Sequence, residues 1–124
     1  MEIKDGLLYS EDHEWIKVDG NVATIGITDF AQHQLGEVVF VEVPGEDDEF
    51  DKEESFGAIE SVKAASDVLM PVTGKVVEVN EDLDDEPGMI NEKPYEAWII
   101  KVELSDPSEL ESLMDSAKYK EFTE

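Results

Sequence analysis

The stretch FGAIESVKAASDV, residues 56–68, decides the fold of this chain. Two short arms, FGAIES and SDVLM, flank Val62-Lys63 and are rich in residues that pack well on a pleated sheet. The pattern predicts a β-hairpin with a lysine at its tip. The neighbours of Lys63 are small, so they leave its side chain accessible to a modifying enzyme. On composition alone, a turn lysine that serves only solubility fits the same residues.

Outward from this hairpin, the chain alternates short apolar runs with turns. Asp19-Gly20 separates two partly alternating runs, which predicts a second hairpin closed by a two-residue turn. Dense valine and other β-branched residues mark further strands. We predict strands at residues 13–18, 21–27, 37–43, 56–61, 66–70, 74–79 and 98–104. The acidic connection 46–54 is expected on the surface, with Phe50 as an anchor.

Helix signals are few. Thr28 is a good cap and Gly36 a good stop, so we predict a short helix over residues 29–35. Residues 80–89 form a loop or one helical turn. Near the C-terminus, Asp106 as cap, Pro107 in the first position and Glu109 three residues after the cap, as in a capping box, predict one helix that lies across the sheets as a lid. The spacing of its apolar residues predicts one buried face, formed by Leu110, Leu113, Met114 and Ala117.

The expected fold class is therefore all-β. We predict a barrel-sandwich hybrid of short antiparallel strands with a C-terminal helix and short helical turns, forming a single domain over residues 1–124. That length is typical of one compact domain. The chain contains no cysteine, which excludes disulfides, thiolate nucleophiles and cysteine zinc sites.

The charge of the chain is strongly negative. Thirty-three acidic residues face nine lysines and no arginine, giving a formal net charge of -24. Binding to nucleic acid needs a cationic face, so we expect none, and anionic membrane surfaces are disfavoured for the same reason. The N-terminal residues lack a secretory signal, so we expect a cytoplasmic location. The acidic surface fits either a simple solvated shell or a docking face for basic partners.

Self-repulsion among these carboxylates should destabilise the compact state at low ionic strength. We therefore expect added salt to raise the melting temperature, measured by circular dichroism during heating at a series of salt concentrations. A melting temperature that is indifferent to salt would contradict this expectation.

Several motifs in order carry a resemblance to a known family. The hairpin FGAIESVKAASDV resembles the lipoyl-lysine hairpin of the glycine cleavage system H proteins, and the likeness extends from about Leu7 to Tyr119. It includes DHEWIKVDGNVATIGITDFAQHQLGEVVFVEVP, MPVTGKVVEVNEDL, PGMINEKPY, WIIKVEL and DPSELESLMDSAKY.

The resemblance implies a carrier rather than an enzyme. It implies lipoate in amide linkage on Lys63, which would supply the sulfur that this chain lacks. The implied partners are glycine decarboxylase (P protein), which loads an aminomethyl group, and aminomethyltransferase (T protein), which passes the one-carbon unit to tetrahydrofolate. Dihydrolipoamide dehydrogenase (L protein) would reoxidise the arm, and a lipoate ligase or lipoyltransferase would attach it. We expect a monomer.

An S-aminomethyl group can lose its one-carbon unit to water, so a carrier needs a sheltering cleft. Because the protonated amine is a cation, carboxylates should line that cleft. The resemblance points to Glu14, in the motif His13-Glu14-Trp15, and to Asp67; the alternative for each of them is a plain surface charge. We place His13 at the same cleft, where it should fix the local turn. We predict no catalytic residue and no metal site, because His13 and His33 lack partner ligands at binding spacing.

Other carriers and scaffolds fit parts of the pattern. Biotin domains share a hairpin lysine but usually surround it with methionines, whereas Val62 and Ala64 stand here. Lipoyl domains of 2-oxoacid dehydrogenases are usually shorter and linked to an acyltransferase. A stand-alone lipoate relay or scaffold, which delivers lipoyl groups to other enzymes, would keep Lys63 and stays open as the alternative. No nucleophile–base pair or phosphate loop indicates an autonomous enzyme.

Overall fold

The computed structural model describes residues 2–124. This part of the chain forms nine strands and four short α-helices. The strands are β1 (Leu8–Tyr9), β2 (Glu14–Asp19), β3 (Val22–Ile27), β4 (Val38–Glu42), β5 (Glu49–Phe50), β6 (Ser55–Ser61), β7 (Ala65–Leu69), β8 (Gly74–Val79) and β9 (Ile100–Leu104). The helices are α1 (Asp29–Leu35), α2 (Asp82–Asp85), α3 (Met89–Glu92) and α4 (Ser116–Thr123).

The strands form two antiparallel sheets. One has six strands in the order β1-β2-β3-β9-β8-β5, and the other has three in the order β4-β6-β7. Helix α1 connects the large sheet to the small one, between β3 and β4. This arrangement confirms the predicted all-β barrel-sandwich class with a C-terminal helix and short helical turns.

A buried apolar cluster holds the two sheets together. It draws side chains from both sheets, among them Ile25 and Val102 from the large sheet and Ile59 and Val68 from the small one. A second, smaller cluster forms where α4 packs on β1, with the rings of Tyr9 and Tyr119 stacked at 4.4 Å between centroids. These two clusters hold the sheets in place, and the sheets in turn position the β6–β7 hairpin and α1.

Most predicted elements are confirmed, with shifted ends. The first hairpin turns at Gly20 and Asn21 rather than at Asp19-Gly20, because Asp19 already pairs with Val22. The last strand begins at Ile100 rather than at residue 98, because the carbonyls of residues 98 and 99 accept hydrogen bonds from Asn80. The acidic connection 46–54 includes the unpredicted edge strand β5, where half-buried Phe50 packs against the core as expected.

A C-terminal helix is present, but the prediction that one continuous helix runs from Pro107 through Ala117 was wrong. Asp106 does cap a helical turn, but that turn is a 3₁₀ helix over Pro107–Ser112. The chain then extends, and Met114 exchanges backbone hydrogen bonds of 2.7 and 2.8 Å with Tyr9. Asp115 caps α4 as a second, separate helix. Pairing with β1 satisfies the backbone groups of Met114, which a continuous helix would have bonded internally.

The C-terminal 3₁₀ turn is tied to the segment between β7 and β8 by one carboxylate. Glu109, which sequence spacing placed in a capping box, instead accepts hydrogen bonds from the backbone N–H of Thr73 at 2.7 Å and from its hydroxyl at 2.9 Å. The local motif is thus used for a long-range contact that spans 36 positions of sequence.

Candidate functional site

The tip of the β6–β7 hairpin is held by backbone hydrogen bonds while its lysine stays exposed. The N–H of Ser61 donates to the carbonyl of Ala64 at 2.7 Å, and the N–H of Val62 donates to the carbonyl of Glu37 at 3.0 Å. The hydroxyl of Ser61 accepts from the N–H of Lys63 at 3.3 Å. The predicted hairpin is confirmed, and the side chain of Lys63 projects from a well-fixed turn.

The side chain of Lys63 passes over Gly36. A Cβ atom at position 36 would stand 3.2 Å from Cε of Lys63, and the backbone there has a φ of 82°, which favours glycine. The amide of Asn91 fixes this corner, since it donates to the carbonyl of Gly36 and accepts from the N–H of Val38, both at 2.8 Å. Gly36 therefore ends α1, as predicted, and also leaves room for the lysine.

A cavity of about 390 Å³ opens between the hairpin and α1. Its wall begins next to Lys63, at Ala64, and continues along β7. The three predicted cleft residues, His13, Glu14 and Asp67, all line it. Apolar side chains make up much of the remaining wall: Ile27, Ala31, Leu35, Ile59 and Val68. The structure thus brings together side chains that lie more than 50 positions apart in sequence.

Glu14 is the buried acid of this cavity, with only 2% of its surface exposed. The hydroxyl of Ser10 donates to its Oε1 at 2.7 Å and accepts from its backbone N–H at 3.1 Å. Burial raises the pKa of Glu14 to about 8; Asp12 and Glu53 add to the rise, while the Ser10 hydroxyl and the Leu69 backbone oppose it. At neutral pH the carboxyl group is therefore mostly protonated when no cation lies beside it.

The other two acids of the lining differ from Glu14. Asp67 is exposed on β7 and Asp12 is exposed in the loop before β2. The lining thus offers one desolvated carboxyl group and two that remain in contact with water. Such a set can hold an ammonium group, since the buried acid gives the stronger interaction and the exposed ones keep the local potential negative.

His13 fixes the turn that leads into β2, as predicted. Its φ is 66°, an uncommon conformation for a residue with a side chain, and two backbone hydrogen bonds hold it. The N–H of Thr28 donates to its carbonyl at 3.0 Å, and its own N–H donates to the carbonyl of Ser10 at 3.1 Å. Its ring stacks on Phe30 at 4.5 Å between centroids. Burial lowers the pKa of His13, against the opposing charge of Asp12.

Four residues support this site without having been identified from sequence as doing so. Ser10 binds Glu14, and Asn91 fixes the corner under Lys63. The hydroxyl of Tyr119 reaches the ring of His13 and is itself hydrogen-bonded to the hydroxyl of Thr28. Only Thr28 had a local signal, as a helix cap. Within residues 2–124, no group of three or more metal-binding side chains is arranged to hold an ion, and no helix is long and apolar enough to cross a membrane.

Comparisons with known proteins agree with this geometry. The family model described as glycine cleavage H-protein matches residues 7–124. A glycine cleavage system H protein of Alkaliphilus oremlandii (strain OhILAs) is 60% identical over 124 residues, which are 100% of this chain and 98% of that protein. The crystal structure of a glycine cleavage system H protein from Mycobacterium marinum superposes with a TM-score of 0.89 at 33% identity, covering 98% of each chain. The chain therefore belongs to the glycine cleavage H-protein family and is a carrier component of the glycine cleavage system.

Proposed function

We propose that Lys63 carries lipoate in amide linkage on its Nζ atom, and that the chain is a mobile, non-catalytic substrate of the other components. The observation that carries the proposal is the exposed lysine at a hydrogen-bonded hairpin tip, beside a cavity whose wall begins at the next residue. When attached, lipoate would supply the sulfur that receives the aminomethyl group, a chemistry that this cysteine-free chain lacks.

The lining of the cavity fits an arm of this kind. Ile27, Leu35 and Val68 offer apolar contacts for a hydrocarbon chain and a dithiolane ring. Glu14 and Asp67 offer carboxyl oxygens for a protonated amine at the end of the arm. An arm lying between these walls would expose less of its surface to water than a free arm, which is the protection that an aminomethyl cargo requires.

Glu14 is suited to respond to the charge of the cargo. A cation beside a buried carboxyl group favours the ionised form, so it lowers the pKa of Glu14 from about 8. The proton is then released and a carboxylate faces the ammonium group. The hydroxyl of Ser10 stays in place to donate to that carboxylate. The pair would therefore hold the loaded arm more strongly than the unloaded one.

The partners follow from this role. We propose glycine decarboxylase, aminomethyltransferase and dihydrolipoamide dehydrogenase as the enzymes visited, with a lipoate ligase or lipoyltransferase as the modifying enzyme. A tether raises the local concentration of the reactive group at each docked enzyme, so one flexible lysine suffices. The net charge of -24 would speed encounters with basic docking faces. We further propose that the chain acts as a monomer in the cytoplasm.

Glu14→Gln should leave acylation of Lys63 intact but shorten the lifetime of the aminomethyl-loaded protein. Loss of one charge-assisted hydrogen bond corresponds to roughly a tenfold change. The lifetime is measured by mass spectrometry of the loaded protein during incubation in buffer. Glu11→Gln is the matched control, because Glu11 is exposed and does not line this cavity. An unchanged lifetime in the Glu14 variant would remove Glu14 from the site.

The carrier role is tested by glycine-dependent exchange of carbon dioxide, catalysed by glycine decarboxylase with the acylated chain as substrate. We expect exchange that saturates with the concentration of this chain. A chain that passes its lipoyl group to a separate acceptor domain but supports no exchange would instead be a lipoate relay. The family membership of the chain supports the carrier, and no feature of the cavity favours the relay.

A further inference from the structure

A chain of three hydrogen bonds links the start of α1 to the ring of His13. The backbone N–H of Ala31 donates to Oγ1 of Thr28 at 3.2 Å. Oγ1 of Thr28 lies 2.7 Å from Oη of Tyr119, and that oxygen lies 2.9 Å from Nδ1 of His13. Thr28 and Tyr119 are both fully buried, so water does not complete their hydrogen bonding.

Counting the hydroxyl hydrogens shows which atom donates in each of these hydrogen bonds. Each hydroxyl has one hydrogen to donate, and a buried hydrogen without an acceptor is costly. If Thr28 donates to Tyr119 and Tyr119 donates to His13, every hydrogen has an acceptor, and Nδ1 must be unprotonated. If the ring donates from Nδ1 instead, one hydroxyl hydrogen has no acceptor among the bonds present: that of Thr28 when Tyr119 donates to Thr28, or that of Tyr119 when Thr28 donates to Tyr119.

We propose that Tyr119 is a positioning residue of the cleft, which holds His13 as a neutral imidazole with its hydrogen on Nε2. The proposal about the ring stands on the hydrogen-bond chain alone. Its consequence for the cargo rests on the proposed function, because it concerns the cleft that would receive a protonated amine. The residue acts through His13 and from α4, which lies outside the predicted site.

A neutral ring keeps a positive charge away from the cavity wall. The charged or titratable groups that share the cavity with His13 are Asp12 and Glu14 from its own segment and Asp67 from β7. The side chains of α1 that line the cavity carry no charge, and the α4 side chains against the ring are Tyr119 and Phe122. A protonated His13 would compete with an ammonium group for the three acids.

The native protein provides the first test, without any substitution. In protein labelled with ¹⁵N-histidine, long-range proton–nitrogen correlation spectra distinguish the two neutral tautomers. We expect His13 to carry its hydrogen on Nε2 at pH 7.5, whereas exposed His33 serves as an internal reference and is assigned with His33→Gln. Finding the hydrogen of His13 on Nδ1, or an even mixture, would overturn the proposal.

Tyr119→Phe then tests the cause. Removing the hydroxyl removes a bond made only to the neutral ring, so the pKa of His13 should rise by about 1 and its tautomer preference should weaken. Tyr9→Phe is the matched control. The hydroxyl of Tyr9 bonds to the backbone of Lys4 and is not part of the hydrogen-bond chain that reaches His13. A titration of His13 that is unchanged in Tyr119→Phe contradicts the proposal.

A second pair of variants guards against a folding defect in Tyr119→Phe. Thr28→Ser keeps the hydroxyl and should preserve the native titration of His13. Thr28→Val removes it, but among these bonds Nδ1 of His13 then stays the acceptor for the Tyr119 hydrogen, so His13 should keep its hydrogen on Nε2. Finding the hydrogen of His13 on Nδ1 in either variant would also contradict the proposal.

The link to the cargo has its own readout. With acylation of Lys63 confirmed by mass, Tyr119→Phe should shorten the lifetime of the aminomethyl-loaded protein most near the pKa of His13. A shifted titration with an unchanged lifetime would overturn the role in the cleft. If the native chain is not acylated at Lys63, the proposed function is contradicted. The spectra of His13 then still test the proposal about the ring, because they do not require acylation.

Discussion

Lys63→Arg is expected to abolish both acylation and glycine-dependent carbon dioxide exchange, down to the background without the chain. Arginine keeps the positive charge and the long stem, but its guanidinium group is not acylated by ligases that act on an amine. The side chain is exposed, so the fold should remain intact. The measurements are intact mass after co-expression with a lipoate ligase, and exchange with purified decarboxylase.

Lys17→Arg is the control for this substitution, because Lys17 is also exposed and lies on β2, away from the hairpin. It should be acylated and active like the native chain. Substantial exchange by Lys63→Arg would mean that another group carries the cargo.

Glu14→Gln should change how stability depends on pH. The folded protein holds the proton of Glu14 with a pKa of about 8, compared with 4.5 for the free side chain. The stabilisation from this bound proton is fully present below pH 4.5 and is lost as pH rises through about 8. Native protein should thus lose on the order of 4 kcal/mol across this window, relative to the glutamine variant.

The measurement is the free energy of unfolding by urea at pH 5 and at pH 9 for both proteins. Other titrating groups act on both proteins alike, so the difference between the two slopes isolates Glu14. Glu11→Gln should show the native slope. Parallel curves for native protein and Glu14→Gln would mean that the folded protein does not hold Glu14 protonated.

The hairpin and its lysine could be predicted because their signals are local. Small residues on either side of Lys63 and β-favouring arms determine the turn without help from the rest of the chain. The cap at Thr28 and the stop at Gly36 are local in the same way, and α1 has the predicted bounds. In such segments, intrinsic preference and tertiary structure agree.

The C-terminal helix could not be predicted correctly because a distant partner decides it. Met114 bonds to Tyr9, which lies far away in sequence, and this pairing divides the segment into two helices. Both Asp106 and Asp115 carry cap signals, but the sequence does not reveal which apolar residues pair with β1. Tertiary contacts override helix propensity here.

The burial and the raised pKa of Glu14 also could not be predicted from the sequence. Glu14 is one acid among 33, and nothing in its spacing distinguishes a fully buried carboxyl group from a surface charge. Its raised pKa depends on a cavity that is built from two sheets and a helix. The same holds for Tyr119, whose contact with His13 spans 106 positions.

The most direct measurement is peptide mapping by mass spectrometry after co-expression of the native chain with a lipoate ligase. We expect a single lipoyl group, found only on the peptide that contains Lys63. A chain that stays unmodified beside a ligase that acylates a control domain, or one modified at a different lysine, would contradict the central claim.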